Sequence, residues 1–216
     1  MKSKALLVCD LLDAAYGEVK WERHNPPLDE LVLTILSQNT TAANCRAAFD
    51  RLRVKFPAWE QVARAGVSEI AEAIRPGGLA EIKAPRINAI LEQLEALGSY
   101  DLSWLDKAPM DEARRYLENF HGVGKKTAAC VLLFSLGKPV LPVDTHVYRV
   151  GWRVGLIPKV GADRSHELLA EQIPPERVYS FHINMVRHGR EVCRARNPRH
   201  TDCVLYEVCD YVRGKD

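Results

Sequence analysis

Two residue types with complementary chemistry stand 18 positions apart in this chain, an amine at Lys126 and a carboxylate at Asp144. Lys126 follows Gly122-Val123-Gly124-Lys125 and opens an apolar run, and Asp144 lies in Pro142-Val143-Asp144-Thr145-His146. A lysine becomes a nucleophile when desolvation or a nearby cation depresses its pKa, and Lys125 is such a cation. A carboxylate can stabilise cationic charge developing on a sugar. Taken singly, Lys126 reads as a solvated helix lysine and Asp144 as a helix N-cap. Taken together they read as a nucleophile and its electrostatic partner. A second centre is at Cys193, Cys203 and Cys209, three of the six cysteines gathered within 17 residues. Cys9, Cys45 and Cys130 lie among apolar or alanine-rich neighbours and read as small buried hydrophobes.

These groups must be held by helices, because nearly every segment has helical periodicity and no strand alternation is convincing. Leu28, Leu31, Val32, Ile35 and Leu36 form one apolar face after the start signal Pro26-Pro27. Ile87, Ile90, Leu91, Leu94 and Leu97 form another, which Gly98 stops. Ala113, Tyr116, Leu117 and Phe120 make a short stripe, and Thr127 to Leu136 is apolar nearly all round, predicting a central buried helix that ends at Gly137. Val178, Phe181, Met185 and Val186 mark a late amphipathic helix. Lys138 to Val143 contains two prolines and reads as an extended connector. The expected fold class is all-α.

Leu117 to Ala129 reads as helix, Gly-Val-Gly turn, helix. The glycines permit positive φ and close backbone approach. The turn and the following helix start then offer amides to a phosphate, gripping a DNA backbone without reading bases. Composition sets the outer bounds. The chain has 216 residues, 47% apolar and 27% charged, with a net charge of +2. Those proportions fit a soluble globular protein and exclude a collagen or a disordered tail. The longest unbroken apolar run, Ala128 to Phe134, is far short of a bilayer span. No secretory signal opens the chain, so a cytoplasmic location is expected, associated with the nucleoid in a bacterium. Five arginines against one glutamate between Arg187 and Arg199 read either as a solvated face or as a nucleic-acid contact.

The segment HGVGKKTAACVLLFSLGKPVLPVDTHVYRV, residues 121–150, resembles the helix–hairpin–helix, Gly/Pro-rich loop and aspartate of the endonuclease III family of DNA base-excision glycosylases. The resemblance extends over nearly the whole chain. Ile35-Leu36-Ser37-Gln38-Asn39-Thr40 is similar to the family's segment whose glutamine fills the gap left by an extruded base. Gly78-Leu79 is similar to its wedge loop, and His188-Gly189-Arg190-Glu191-Val192-Cys193 with the later cysteines to its iron–sulfur loop. The resemblance implies that Lys126 is the catalytic lysine and Asp144 the catalytic aspartate. It implies a bifunctional enzyme, in which the amine displaces the base, forms a Schiff base with the sugar and nicks the strand by β-elimination. Oxidised pyrimidines such as thymine glycol are the expected substrates. Gln38, Asn39 and Leu79 would enter the helix, while Gly122, Gly124, Lys125 and Thr127 would hold a phosphate.

The family's cluster loop is Cys-x6-Cys-x2-Cys-x5-Cys, and this chain reads Cys193-x6-His200-x2-Cys203-x5-Cys209. A [4Fe–4S] cluster held by three cysteines and His200 is the first expectation; zinc or no metal are the alternatives. An ordered loop would turn Arg194, Arg196 and Arg199 toward DNA phosphates. His121 replaces the proline that usually precedes Gly-Val-Gly. Two helical lobes are expected to flank the DNA. One is a six-helix bundle over 22–136 that ends in the hairpin; the other joins 1–21 to 137–216 and carries the metal. Lys126 and Asp144 would face each other across the cleft. The expected partner is double-stranded DNA with damaged bases or abasic sites, bound by a monomer away from any membrane. Three other readings stand beside this one: a glycosylase for uracil, an alkylated base or a mismatch; a non-catalytic damaged-DNA-binding module; and a redox-sensing iron protein.

Overall fold

Helices and the turns between them account for the chain in a computed structural model that describes residues 3–214. No strand occurs among the described residues. The chain divides into two units, one of residues 23–138 and one that joins the N-terminal segment to residue 22 with everything from 139 onward.

The 23–138 unit contains six α-helices among the described residues. They are α2 (Pro27–Leu36), α3 (Ala42–Lys55), α4 (Trp59–Ile74), α5 (Ala80–Ala96), α6 (Met110–Glu118) and α7 (Lys125–Cys130). Pro27 opens α2 where its missing N–H costs nothing, and Asp29 and Glu30 sit in the first turn, where the helix dipole favours them. Leu28, Leu31, Val32, Ile35 and Leu36 are all buried, so α2 runs through the core. Thr41 caps α3, its hydroxyl accepting from the Asn44 amide at 3.2 Å. Gly66, at φ +76°, kinks α4. Gly98, at φ +80°, ends the α5 stripe in the left-handed conformation the sequence anticipates. The apolar run after Lys126 departs from expectation in one respect. From Val131 to Ser135 it widens into a π-helical turn before Gly137 closes it at φ +63°. Such turns are rare and arise inside α-helices, often beside functional residues.

The other unit packs α1 (Lys4–Tyr16) against α10 (Val178–Glu191), with α8 (Thr145–Val154) and α9 (Ala162–Ala170) beside them. A polar lattice supports the α1 contact. Arg177 reaches Asp10 at 3.1 Å and Asp13 at 2.7 Å, and Ser180 and Asn184 both donate to Asp13. Residues 138–143 are the extended connector the prolines require. After α10 the cysteine-bearing loop makes only short 3₁₀ turns, at His200–Asp202 and Tyr206–Val208.

Candidate active site

Lys126 owes its position to the turn between α6 and α7. The Val123 amide donates to the Phe120 carbonyl at 3.0 Å, and Gly122 takes φ +78°. Only this glycine of the pair uses the left-handed region; Gly124 is extended at φ −98° and forms the N-cap of α7. A Cβ on Gly122 would lie 3.0 Å from Arg86 Cδ, whereas one on Gly124 would meet nothing. The cap has no side chain to close the first-turn amides, so the start of α7 keeps the anion-binding character of an open helix end. Lys125 and Lys126 are half-buried there, and Thr127 is buried.

Glu30 of α2, which the sequence reading passed over, lies within electrostatic reach of Lys126. It is 8% exposed and accepts from Asn25 Nδ2 at 2.7 Å. Burial pushes its carboxyl above the ordinary range, against the opposing pull of the Asn25 bond and of His24, Arg46 and Lys126 nearby.

The residues expected to enter DNA sit on two turns of the same unit. Gln38 follows the end of α2, and Arg86 Nη1 donates to its Oε1 at 3.1 Å. Asn39 beside it has φ +52°. Leu79, also at φ +52°, is the N-cap of α5 and is 47% exposed. Three non-glycine residues among those described have positive φ, and two of them are these turn residues. A leucine held there is strained, and strain of that kind persists only where the surroundings enforce it.

Asp144, in the other unit, is the N-cap of α8. Its Oδ1 alone accepts both cap bonds, from His146 N and Val147 N at 2.8 Å each. Capping and a second role are therefore compatible on one side chain. The approach to the cap is fixed by His182, which donates from Nδ1 to the Pro142 carbonyl at 2.9 Å. The same helix holds the cysteine loop. Arg149 donates to the Cys193 and Gly189 carbonyls at 2.9 and 2.7 Å, and Arg153 to the Arg194 carbonyl at 2.7 Å. α8 and α10 approach so closely that a Cβ on Gly189 would stand 2.8 Å from His146 Cβ.

Cys193, His200, Cys203 and Cys209 line one cavity together with Arg153 and Tyr211. Arg153 Nη1 lies 3.5 Å from Cys193 Sγ, and Cys209 Sγ donates to the Arg153 carbonyl at 3.3 Å. His188 opens the loop motif in the sequence, but its contact with a cysteine sulfur was not anticipated. It is 1% exposed, with Nδ1 2.8 Å from the Tyr16 hydroxyl and Nε2 3.6 Å from Cys203 Sγ. Burial pushes its imidazole down to about 4 and the Cys203 thiol up to about 11. Among the described residues, no three His, Cys, Asp or Glu side chains close on a single point that could hold one ion. A tetrahedral zinc demands such a point, with every ligand about 2.0–2.3 Å from it. A cluster spreads its ligands over several irons, so donors arranged around a shared cavity fit it better. Arg194, Arg196 and Arg199 are exposed on this loop.

Comparison with known proteins gives these features a context. The profile described as HhH-GPD superfamily base excision DNA repair protein matches residues 32–175. Endonuclease III of Thermotoga maritima is 30% identical over 194 residues, 89% of this chain and 87% of its own length. An Arabidopsis thaliana protein carrying a provisional DNA glycosylase name is 38% identical over 185 residues, 84% of this chain. The chain spans 62% of that plant protein's length. Among solved structures, a non-covalent endonuclease III–DNA complex superposes with a TM-score of 0.82 at 26% identity, covering 100% of this chain and 99% of the other.

Proposed function

Because the chain belongs to the HhH-GPD superfamily of base excision DNA repair proteins, we propose that it is a DNA glycosylase with AP-lyase activity on oxidised pyrimidines. The observation that carries the lyase half is the amine itself. Lys126 stands in the first turn of α7 beside an uncapped helix start suited to a phosphate.

The chemistry follows from these groups. The unprotonated Lys126 Nζ attacks C1′ of the damaged nucleotide, and the C1′–N bond breaks with its electron pair leaving on the base, which takes up a proton. The sugar ring opens to a protonated Schiff base on Nζ. A proton is then lost from C2′, the 3′ phosphate departs, and the strand is nicked. Asp144 acts on the positive charge that develops at C1′ with the carboxylate oxygen its cap bonds leave over. The amides of Gly122 to Lys126 and the Lys125 ammonium hold the backbone, while Gln38 and Leu79 fill the space the base vacates. Unstacking costs a few kcal/mol, least for a damaged base.

Cys193, His200, Cys203 and Cys209 hold a [4Fe–4S] cluster in this reading, and their arrangement around one cavity supports it. When bound, the cluster orders the loop. Arg194, Arg196 and Arg199, exposed on that loop, would meet DNA phosphates, and Arg149 and Arg153 bond the loop to α8, whose cap is Asp144.

Borohydride trapping on two duplexes, one with thymine glycol and one with an abasic site, tests the assignment. A covalent protein–DNA adduct on both is expected. An adduct on the abasic duplex alone moves the substrate to another lesion, and none on either removes Lys126 as the nucleophile.

A further inference from the structure

Lys83 is the least expected side chain in the 23–138 unit, a lysine on α5 with 1% of its surface exposed. Its Nζ donates to two backbone carbonyls, Leu36 at 2.7 Å and Gly77 at 2.8 Å. Among the described residues no carboxylate pairs with it. A buried ammonium without a counter-charge is costly to maintain, so what it holds must matter. Leu36 stands two residues before Gln38, and Gly77 two residues before Leu79. One amine therefore bridges the two turns at matching positions. The Leu79 turn needs such a restraint, since a leucine is left-handed there, and Asn39 in the other turn shares that conformation. Gly77 is fixed from its other side too, where a Cβ would come within 3.0 Å of Ala48 Cβ.

We propose that Lys83 is a positioning residue that locks the Gln38 turn and the Leu79 turn into one rigid wedge, acting on base extrusion rather than on bond breaking. This rests on the reading of the chain as a glycosylase. Side chains that replace an extruded base must be held close to their productive geometry before DNA arrives. Lys83 supplies that without touching DNA. Its loss slows only the step in which a stacked base leaves the helix.

The test compares Lys83→Met and Lys83→Gln with the unaltered protein on three readouts. They are release of thymine glycol from a duplex, nicking at a preformed abasic site, and the fluorescence rise of 2-aminopurine placed opposite an abasic site. The expected result is a loss of about tenfold or more in base release, nicking within about twofold, and a diminished 2-aminopurine signal. Retained nicking certifies the fold and the Lys126 chemistry in the same tube. Equal losses in release and nicking, or failure of both variants to fold, would make Lys83 a structural tie only and overturn the proposal. An undiminished 2-aminopurine signal overturns it as well. If the unaltered protein neither nicks abasic DNA nor unstacks 2-aminopurine, the glycosylase reading fails instead, a result distinct from any difference among variants.

Discussion

At Asp144 a structural duty and the proposed chemical one share a single carboxylate, and they can be separated because both cap bonds fall on one oxygen. Asn at 144 retains an accepting oxygen, so Asp144→Asn should change stability by less than about 1 kcal/mol while base release falls about 10²- to 10³-fold. Asp144→Ala should lose both, with melting lowered by the roughly 1 kcal/mol a cap contributes. Parallel thermal melts and single-turnover excision rates distinguish them. Lys126→Gln should abolish nicking and borohydride trapping, by about a thousandfold or more, while abasic DNA is still bound. Glu30 gives a pH signature. Burial raises its folded pKa, so the fold favours the protonated form; that contribution is present below the ordinary value and is lost as pH rises through the raised one. Glu30→Gln should accordingly raise the melting temperature at pH 7, with no gain near pH 4. Lys126 and Asp144 were legible in the sequence because motif and spacing announce them. Lys83 left a subtler trace, a charge one turn before Ile87 on the same apolar stripe; Glu30 lies off the Leu28–Leu36 stripe and left none. The Arg86–Gln38 bond joins positions 48 apart, and no local pattern encodes it.

The α6–α7 hairpin shows how one glycine differs from its neighbour. Gly122→Ala puts a side chain at φ +78° and should cost about 1–2 kcal/mol; Gly124→Ala, in extended backbone with open space, should be near neutral to the fold. Comparing their melting curves checks the hairpin's geometry apart from its DNA contacts. The sequence suggested both glycines for positive φ because composition cannot say which of two carries the bend. It also could not reveal the π-helical turn at Val131–Ser135, since that run is apolar on every face and no periodicity distinguishes a wide turn from an ordinary one. In the cysteine loop the spacing was legible, but the enclosure of His188 was not, because Tyr16 reaches it from the far end of the chain. If His200 is a cluster ligand, His200→Cys should keep the brown colour and lower the reduction potential, as a thiolate adds negative charge. An unchanged potential would mean His200 never contacted iron.

For the molecule as a whole, the all-helical architecture followed from apolar periodicity alone, and the family relation from motifs in order. The division into units was expected from the family resemblance and not from periodicity, since α1 and α10 share no pattern that announces their pairing; the ties among Asp10, Asp13, Arg177, Ser180 and Asn184 are legible only once the chain is folded. That division has a consequence during synthesis. Residues 23–138 are contiguous, and everything they pack against within their own unit has been synthesised once Lys138 is added. α1 precedes α10 by some 160 residues and has to wait for it, roughly 10–30 s at ordinary elongation rates. During that interval the apolar face of α1, with Ala5, Val8, Cys9 and Leu12, has no native surface to cover it. Of the pairings between these helices, the one between α1 and α10 is thus the longest delayed.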